Sequence, residues 1–324
     1  MKFGVLAAAL IGFAIAAWLL IHTGVDTVFA SIASVGWGGF ALLVLYLLPS
    51  VTLLGASWYV LAPKAPGVSL ATFITGRQMR DSGGDILPFS QLGGIVIGAR
   101  AVVLRGVNAP LAFASAIADV TTELMAQIAF IVLGLGFCFL LLEDNAQSAP
   151  LLHGLLYGAL LLIPGVVAFV VLQRRGSNMA AKLAERFLPA AVSHAATFNQ
   201  AINEIYARPK SLALSAALHL VAWVASAFWV WLGLTLMGAP ISFEGAIALE
   251  AMLCALRSAA IFVPAAIGVQ EAGYVALAPL FGVPAEAGLA VSLIKRARDI
   301  LVGVPVLLLW QAVEGKRAFA KAEL

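Results

Sequence analysis

Charged side chains are scarce in this chain. Asp, Glu, Lys and Arg make up 11% of its 324 residues, whereas hydrophobic residues make up 62%. A soluble globular domain carries about 25% charged and about 45–50% apolar residues, so this composition excludes a soluble protein. Long apolar runs with little charge are typical of membrane-spanning helices rather than of barrel strands. We therefore predict one all-α, polytopic membrane domain over residues 1–324.

Cysteine is nearly absent, and so are the motifs of common enzyme classes. Cys138 and Cys254 both lie in apolar runs and give no disulfide or metal signal. The sequence has no phosphate-binding Gly-Lys loop, no paired-histidine metal motif and no nucleophile elbow. We predict that the protein is not an enzyme and uses no metal or cofactor. The net charge of +3 fits basic membrane-protein loops, so no nucleic-acid partner is expected.

Long apolar runs predict about six spanning helices, at residues 3–22, 36–61, 110–141, 151–173, 209–237 and 285–311. Two interrupted regions remain: 68–105, which contains LPFSQLGG, and 243–281, which contains IFVPAAIGVQEAG. Irregular backbone inside a membrane must be buried in protein or line a watery cavity. We predict two re-entrant hairpins, broken at Pro88, Gly93, Gly94, Pro264 and Gly268. The alternative is a pair of complete, kinked helices in each region.

Basic residues favour one side of the predicted topology. Most Lys and Arg fall in loops on the side of the termini, whereas Asp26, Glu143 and Asp144 lie on the other side. Because cytoplasmic loops are enriched in Lys and Arg, both termini are predicted to be cytoplasmic. Residues 177–206 are polar with apolar residues at helical spacing, which predicts amphipathic helices on the cytoplasmic surface, split near Pro189. A partner-docking helix is the alternative there.

An internal repeat is visible when the chain is shifted by 176 positions. Pro88 then falls on Pro264, Gly106 falls on Gly282, and the span 36–61 falls on 212–237. We predict one repeat at about 36–142 and another at about 209–313. Three predicted crossings separate equivalent points, and this odd number makes the repeats inverted. Transporters built from inverted repeats bind their substrates near the midplane, where broken helices meet.

Ionisable side chains inside the predicted spans form the candidate substrate path. Each such charge costs about 2.5–3.5 kcal/mol on an insertion scale, so these side chains must face inward. One face of the span after the first hairpin carries Asp119, Glu123 and Gln127, and one face of the last span carries Lys295, Arg298 and Asp299. One hypothesis pairs Asp119 and Glu123 with Lys295 or Arg298 across the repeats. Such a group is either a structural ion-pair network or a charged path.

The hairpins add further candidates. The first brings Arg77, Arg80, Asp81, Asp85 and Gln91; the second brings Glu250, Arg257, Gln270 and Glu271. Arg77 and Arg80 are three residues apart and could clamp an anion such as a phosphate, although cytoplasmic anchoring also explains them. His219 lies inside a span, where a hydrogen-bonded core histidine is more common than a proton relay.

Two runs carry a resemblance to a known family. LPFSQLGGIVIGAR and RGVNAPLAFASAIADVTTELMAQ resemble the lysylphosphatidylglycerol synthase transmembrane (flippase-like) family. The run LRSAAIFVPAAIGVQEAGYVALAPLFGVPAEAGLAVSLIKRARD resembles its subgroup associated with hopanoid biosynthesis. The aminoacyl-transferase domain of the full synthases has no counterpart in this sequence.

The resemblance implies a bacterial inner-membrane protein that moves a lipid between leaflets. Hopanoids, aminoacylated phospholipids and polyprenyl-phosphate-linked lipids are the candidate cargoes, and lipid-biosynthesis enzymes or a second copy of the chain are candidate partners. Two other functions stay open. An ion-coupled carrier for a small solute would have a closed midplane site without a lateral opening. A non-transporting scaffold for a lipid-biosynthetic enzyme would tolerate loss of Asp119 or Lys295.

Overall fold

The computed structural model describes residues 2–87, 90–142, 157, 160, 192–260 and 263–322, and it is helical without strands in those ranges. The predicted all-α class is confirmed. The helices are α1 (Lys2–Thr23), α2 (Val25–Leu45), α3 (Leu47–Tyr59), α4 (Leu70–Ile86), α5 (Ser90–Leu104), α6 (Ala109–Leu141), α7 (Val192–Tyr206), α8 (Pro209–Leu236), α9 (Phe243–Ala259), α10 (Val269–Leu277) and α11 (Ala285–Ala322).

Three stretches of the described chain are long and apolar enough to cross a membrane: Val25–Tyr59, Ala109–Leu141 and Pro209–Leu236. They coincide with three of the predicted spans. The predicted span 3–22 falls on α1, where Leu10–Thr23 is a shorter apolar helix. The predicted span 285–311 falls on α11, whose apolar run is interrupted by the charges at 295–299. The span at 151–173 lies almost wholly outside the described residues.

The second span begins earlier than predicted. We expected it to start at residue 36, but α2 already begins at Val25 and passes through Gly36 at φ 64°. Glycine has no Cβ and adopts this left-handed conformation without strain. Gly36 therefore bends an apolar stretch that starts eleven residues upstream, instead of marking its first residue.

The first predicted hairpin is a pair of closely packed helices, α4 and α5. Its break lies at Leu87, where α4 has ended, and Pro88 is outside the described residues. Gly93 and Gly94, predicted to form the break, instead lie inside α5. A Cβ added to Gly94 would stand 2.4 Å from the carbonyl oxygen of Arg80. Glycine is needed there because the two helix backbones touch, not because the chain turns.

The second predicted hairpin, α9 and α10, contains a true irregular segment. Pro264 opens a short 3₁₀ turn, Pro264–Ala266, in which Ala265 and Ala266 have φ values of 50° and 48°. Gly268 follows at φ 81° and precedes α10. A Cβ on Gly268 would lie 2.6 Å from the carbonyl oxygen of Gly12 in α1. Helix α1 therefore covers this break from one side.

The two long helices, α6 and α11, each pack against a helix from the other half of the chain. Helix α6 packs against α9 of the second pair, and α11 packs against α4 of the first pair, while α3 contacts α8. This packing matches the equivalences expected from the 176-residue shift. The opposite membrane orientation of the repeats stays a prediction. Of the predicted amphipathic segment 177–206, the structure describes α7, which buries Ile202 and Ile205 against the core.

Candidate functional site

Two arginines of α4 and two carboxylates of α6 form a buried network. We call this network, together with His219 of α8, the arginine cluster. Arg80 donates to Asp119 at 2.6 Å and to Glu123 at 2.5 Å. Arg77 donates to Glu123 at 2.8 Å and approaches Asp119 at 3.4 Å. Arg77 and Arg80 are each 5% exposed, and Asp119 is fully buried. Each cation therefore contacts both carboxylates.

Helix geometry explains why each arginine contacts both carboxylates. Arg77 and Arg80 are three residues apart on α4, and Asp119 and Glu123 are four apart on α6, so each pair occupies one helix face. The planar guanidinium offers several N–H groups and can bridge two acceptors, which an ammonium cannot do with the same geometry. Asp81, one turn along α4, adds a third carboxylate at 2.8 Å from Arg77. Each guanidinium is thus held by at least two carboxylates.

A second network, the lysine cluster, joins four helices of the other half. Lys295 of α11 donates to Glu250 of α9 at 2.9 Å. The same carboxylate accepts from Ser226 of α8 at 2.9 Å and from the Tyr274 hydroxyl of α10. Lys295 and Arg298 also lie over the Trp229 ring, at 5.9 and 4.7 Å from its centroid. Cation–π contact supports these positive charges where water is scarce.

The hypothesis that Asp119 and Glu123 pair with Lys295 or Arg298 is wrong. Asp119 and Glu123 bind the arginines of α4, while Lys295 binds Glu250 and Arg298 binds Asp299 at 2.7 Å. The pairs of Asp119, Glu123 and Lys295 form between a helix pair and the long helix that follows it, whereas Arg298–Asp299 lies within α11. The signs are also exchanged, because the long helix carries acids in the first half and bases in the second. Sequence reasoning matched opposite charges at equivalent positions and overlooked neighbours within each half.

Arg296 stabilises the irregular backbone of the second break. Its guanidinium donates to the carbonyl oxygens of Ala265 and Ala266, at 3.1 and 3.2 Å. It also binds Glu271 at 2.6 Å, and Glu271 accepts from the backbone N–H of Gly268 at 2.7 Å. Buried backbone groups that lie outside a helix must find such partners. Arg296 has this structural role, which its position beside Lys295 alone did not indicate.

A small cleft with three carboxylates lies between α3, α4 and α11, and we call it the acidic cleft. Asp81, Asp85 and Asp299 line it, together with Leu47, Ser50, Val51, Leu54, Gln78, Ser82, Val302 and Gly303. Its volume is about 50 Å³, enough for about four water molecules. Asp81 and Asp299 connect it to the two clusters through Arg77 and Arg298. The charge of Arg257, on α9 near the second break, interacts with Asp85.

The remaining predicted site residues lie apart from the charged clusters or outside the described side chains. Gln127 donates to Ser258 and links α6 to α9. Gln270 donates to Ser292 at 3.0 Å, next to Glu271. The side chain of Gln91 lies outside what the structure describes. These amides join helices and are not gathered at one binding point.

The three side chains Asp119, Glu123 and His219 stand close enough to one another to hold a metal ion, with ligand atoms within 4.8 Å. The two arginines already occupy both carboxylates, and a metal cation would have to displace them or bear their repulsion. The donor set therefore does not fit a metal site.

Sequence reasoning missed Ser226, Trp229, Tyr274 and Ser57 as members of polar networks. Each lies in an apolar run, where an aromatic or small hydroxyl residue is an ordinary core residue. Buried aromatic N–H and O–H groups and buried carboxylates are almost always hydrogen-bonded. The sequence therefore indicated that these side chains need hydrogen-bond partners. Sequence alone does not say which helices meet, so the partner could not be named.

The chain matches the model of a known protein family. A family model described as "Lysylphosphatidylglycerol synthase TM region" matches residues 5–306. No curated protein and no solved structure matches the chain.

Proposed function

The chain belongs to the lysylphosphatidylglycerol synthase TM region family, and from that premise we propose that it is a lipid translocase. In this proposal it spans the bacterial inner membrane several times and moves a lipid with a polar headgroup between the leaflets. Candidate cargoes are hopanoids, aminoacylated phospholipids and other phospholipids. Membership in the family supports a membrane protein that acts on lipids, and the arrangement of charge supports translocation.

The observation that carries the proposal is a line of polar groups through an apolar protein. It runs from the arginine cluster through Asp81 to the acidic cleft, and from Asp299 through Arg298 to the lysine cluster. Intramembrane ionisable residues are costly and commonly mark a substrate path. The cleft also carries apolar side chains, namely Leu47, Val51, Leu54 and Val302. A headgroup could follow the polar line while its tails remain in the bilayer.

Passage of a headgroup requires the cleft to widen. A cleft of about 50 Å³ holds a few waters, whereas a lipid headgroup is many times larger. Helices α4 and α11 form opposite walls and belong to different halves of the chain. The ion pairs of Arg77 and Arg80 lie within the first half, and the Lys295–Glu250 pair lies within the second. Helices α4 and α11 can therefore separate without breaking these pairs.

Leaflet exchange of headgroup-labelled lipids in proteoliposomes tests the proposal. Wild-type protein should exchange lipid, and Asp119→Asn and Lys295→Ala should slow exchange at least tenfold. The matched control is Glu314→Gln, which removes a carboxylate from an exposed pair with Arg100 and should keep the wild-type rate. Absence of exchange by folded wild-type protein for every headgroup, with and without a proton gradient, would refute translocation. Exchange that ignores the two buried charges would refute the proposed path.

A reversible crosslink tests the widening of the cleft. A Cβ on Gly303 would lie 3.4 Å from the Cβ of Ser82, close to the spacing in a disulfide, about 3.5–4.5 Å. Ser82→Cys with Gly303→Cys, in a background without Cys138 and Cys254, should stop exchange when oxidised and restore it when reduced.

The crosslink control lies within the first helix pair. A Cβ on Gly83 would lie 3.7 Å from the Cβ of Ile97, so Gly83→Cys with Ile97→Cys joins α4 to α5 at a similar spacing. We expect those helices to move together, and this disulfide should leave exchange unchanged. Undiminished exchange with the Ser82–Gly303 crosslink fully formed would show that the cleft is not the path.

A further inference from the structure

His219 hydrogen-bonds to Asp119 of the arginine cluster and links the two halves of the chain. It is fully buried on α8. Its Nε2 stands 2.9 Å from Asp119 Oδ1 on α6 and 3.1 Å from Ser57 Oγ on α3. Asp119 and Ser57 belong to the first half of the chain, and His219 belongs to the second.

The surrounding hydrogen bonds fix the tautomer of this histidine. Ser57 gives its hydroxyl proton to the carbonyl oxygen of Leu54 at 2.6 Å, so its oxygen can only accept from His219. Asp119, which accepts from two arginines, is ionised and also accepts. Nε2 must therefore carry the hydrogen in neutral His219. The lone pair then lies on Nδ1, which is buried and has no hydrogen-bond partner in the described structure.

The charge balance of the cluster leaves room for one proton. Two guanidinium groups, of Arg77 and Arg80, face three carboxylates, of Asp81, Asp119 and Glu123. With neutral His219 the cluster has a net charge of −1, and a proton on Nδ1 would bring it to zero. Arginine stays protonated in proteins, and the carboxylates are engaged by guanidinium groups. The free lone pair of His219 is thus a basic position in this group that no guanidinium occupies.

The elements packed against His219 present charges of both signs. Helix α6 presents Asp119 and Glu123, and α4 presents the opposing Arg77 and Arg80. Helix α3 has no charged residue. The charges of α9 and α11 meet α8 at Ser226 and Trp229, seven or more residues beyond His219 and thus about 10 Å or more along the helix.

We propose that His219 is the proton-binding site that couples lipid movement to a proton gradient. The inference rests on the proposed function and adds its energy source. A proton adds to Nδ1 and leaves from the same atom, so the imidazole becomes imidazolium and returns. Protonation turns the hydrogen bond to Asp119 into an ion pair that joins the two halves of the chain. Deprotonation weakens that link, and the halves can then separate at the acidic cleft.

The first arm of the test measures the protonation of His219 directly, without transport. Nitrogen NMR of histidine-labelled protein in lipid, assigned with His219→Gln, reports which ring nitrogens carry hydrogen. Spectra are recorded between about pH 8 and about pH 5, and we expect both the Nε2–H tautomer and the imidazolium to occur within that range. A His219 signal that stays in one form across this range would overturn the proposal. This arm uses the wild-type protein and remains decisive even if lipid exchange is absent.

The second arm measures the effect of a proton gradient on leaflet exchange. With the membrane potential clamped, a difference of about one pH unit should shift the steady leaflet ratio of the cargo by up to about tenfold for one proton per lipid. His219→Gln should abolish this shift, while the matched control His22→Gln, at an exposed histidine of α1, should retain it. His219→Asn provides a second variant if the glutamine variant does not fold.

The outcomes separate the two proposals. Exchange in wild-type protein that does not respond to the gradient, or a response that survives in His219→Gln, would overturn proton coupling and leave lipid translocation standing. Failure of exchange altogether would count against translocation, and the NMR arm would still decide whether His219 binds a proton.

Discussion

The replacement of Asp119 by asparagine tests the buried network most directly. The change preserves shape but removes the charge that accepts from Arg80 at 2.6 Å, from Arg77 at 3.4 Å and from His219 at 2.9 Å. Asp119 is fully buried, so its loss would leave the buried Arg80 with Glu123 alone, while Arg77 would keep Glu123 and Asp81. Loss of one partner from a buried ion pair costs about 3–5 kcal/mol. We expect Asp119→Asn to lower the free energy of unfolding by that amount.

The assay is unfolding in mixed micelles by titration with a denaturing detergent, followed by fluorescence of the seven tryptophans. The control is Glu314→Gln, because its pair with Arg100 has 26% and 46% exposed side chains. An exposed pair contributes about 0–1 kcal/mol. Equal losses for the buried and the exposed variant would contradict the reasoning, since burial would then have no effect on the cost.

A double-mutant cycle then identifies the partner. Arg80→Gln with Asp119→Asn should cost less than the sum of the single changes, with a coupling of about 0.5–3 kcal/mol, because the double variant leaves no unmatched charge between these positions. Asp119→Asn with Lys295→Met should be additive within about 0.5 kcal/mol, since Lys295 is held by Glu250. Additive losses in the first cycle and coupling in the second would restore the pairing suggested by the sequence and refute the observed one.

Three further predictions use the same unfolding assay. Gly94→Ala should cost about 1–3 kcal/mol because the helices overlap there, whereas Gly136→Ala, with nothing within 4 Å of the added Cβ, should cost nothing; equal effects would contradict the contact. Arg296→Lys should cost about 1–3 kcal/mol and expose the second break to protease, because a lysine cannot bond both break carbonyls; unchanged cleavage would contradict this. Tyr274→Phe should cost about 1.5–3 kcal/mol by removing a bond to a carboxylate, unlike Tyr59→Phe at a 37% exposed residue; equal losses would count against that bond.

The features that depend on local composition could be predicted from the sequence. An apolar run of sufficient length must be a helix in a membrane, because its backbone groups find no other partners. The stretches Ala109–Leu141 and Pro209–Leu236 were therefore predictable nearly to the residue. The break at Pro264 was predictable for the same reason, since proline removes a donor and ends a helix.

Features that depend on which helices meet could not be predicted. LPFSQLGG looked like one long irregular segment, yet its glycines lie in α5 and serve the contact with α4. A glycine needed for close packing and a glycine needed for a turn look the same in one sequence. The predicted pairing of Asp119 and Glu123 with Lys295 or Arg298 was wrong for a related reason. The charges that must be buried were recognised, but their partners depend on which side chains of α4 reach α6 and which side chain of α11 reaches α9.

The placement of the ion pairs has a consequence for movement. The ion pairs of Arg77 and Arg80 lie within the first half, and the Glu250–Lys295 and Glu271–Arg296 pairs lie within the second. Separating two buried charges would cost several kcal/mol, so pairs across the halves would lock them together. Besides apolar packing and neutral hydrogen bonds such as Gln127 to Ser258, the halves are joined by the exposed Arg100–Glu314 pair and by the charge interaction of Arg257 with Asp85. The bond between His219 and Asp119 also crosses the halves in the buried core, and in the proposed mechanism its strength depends on one proton. A transporter that alternates between two conformations needs a contact whose strength can change. The His219–Asp119 bond would be strong with His219 protonated and weak with His219 neutral.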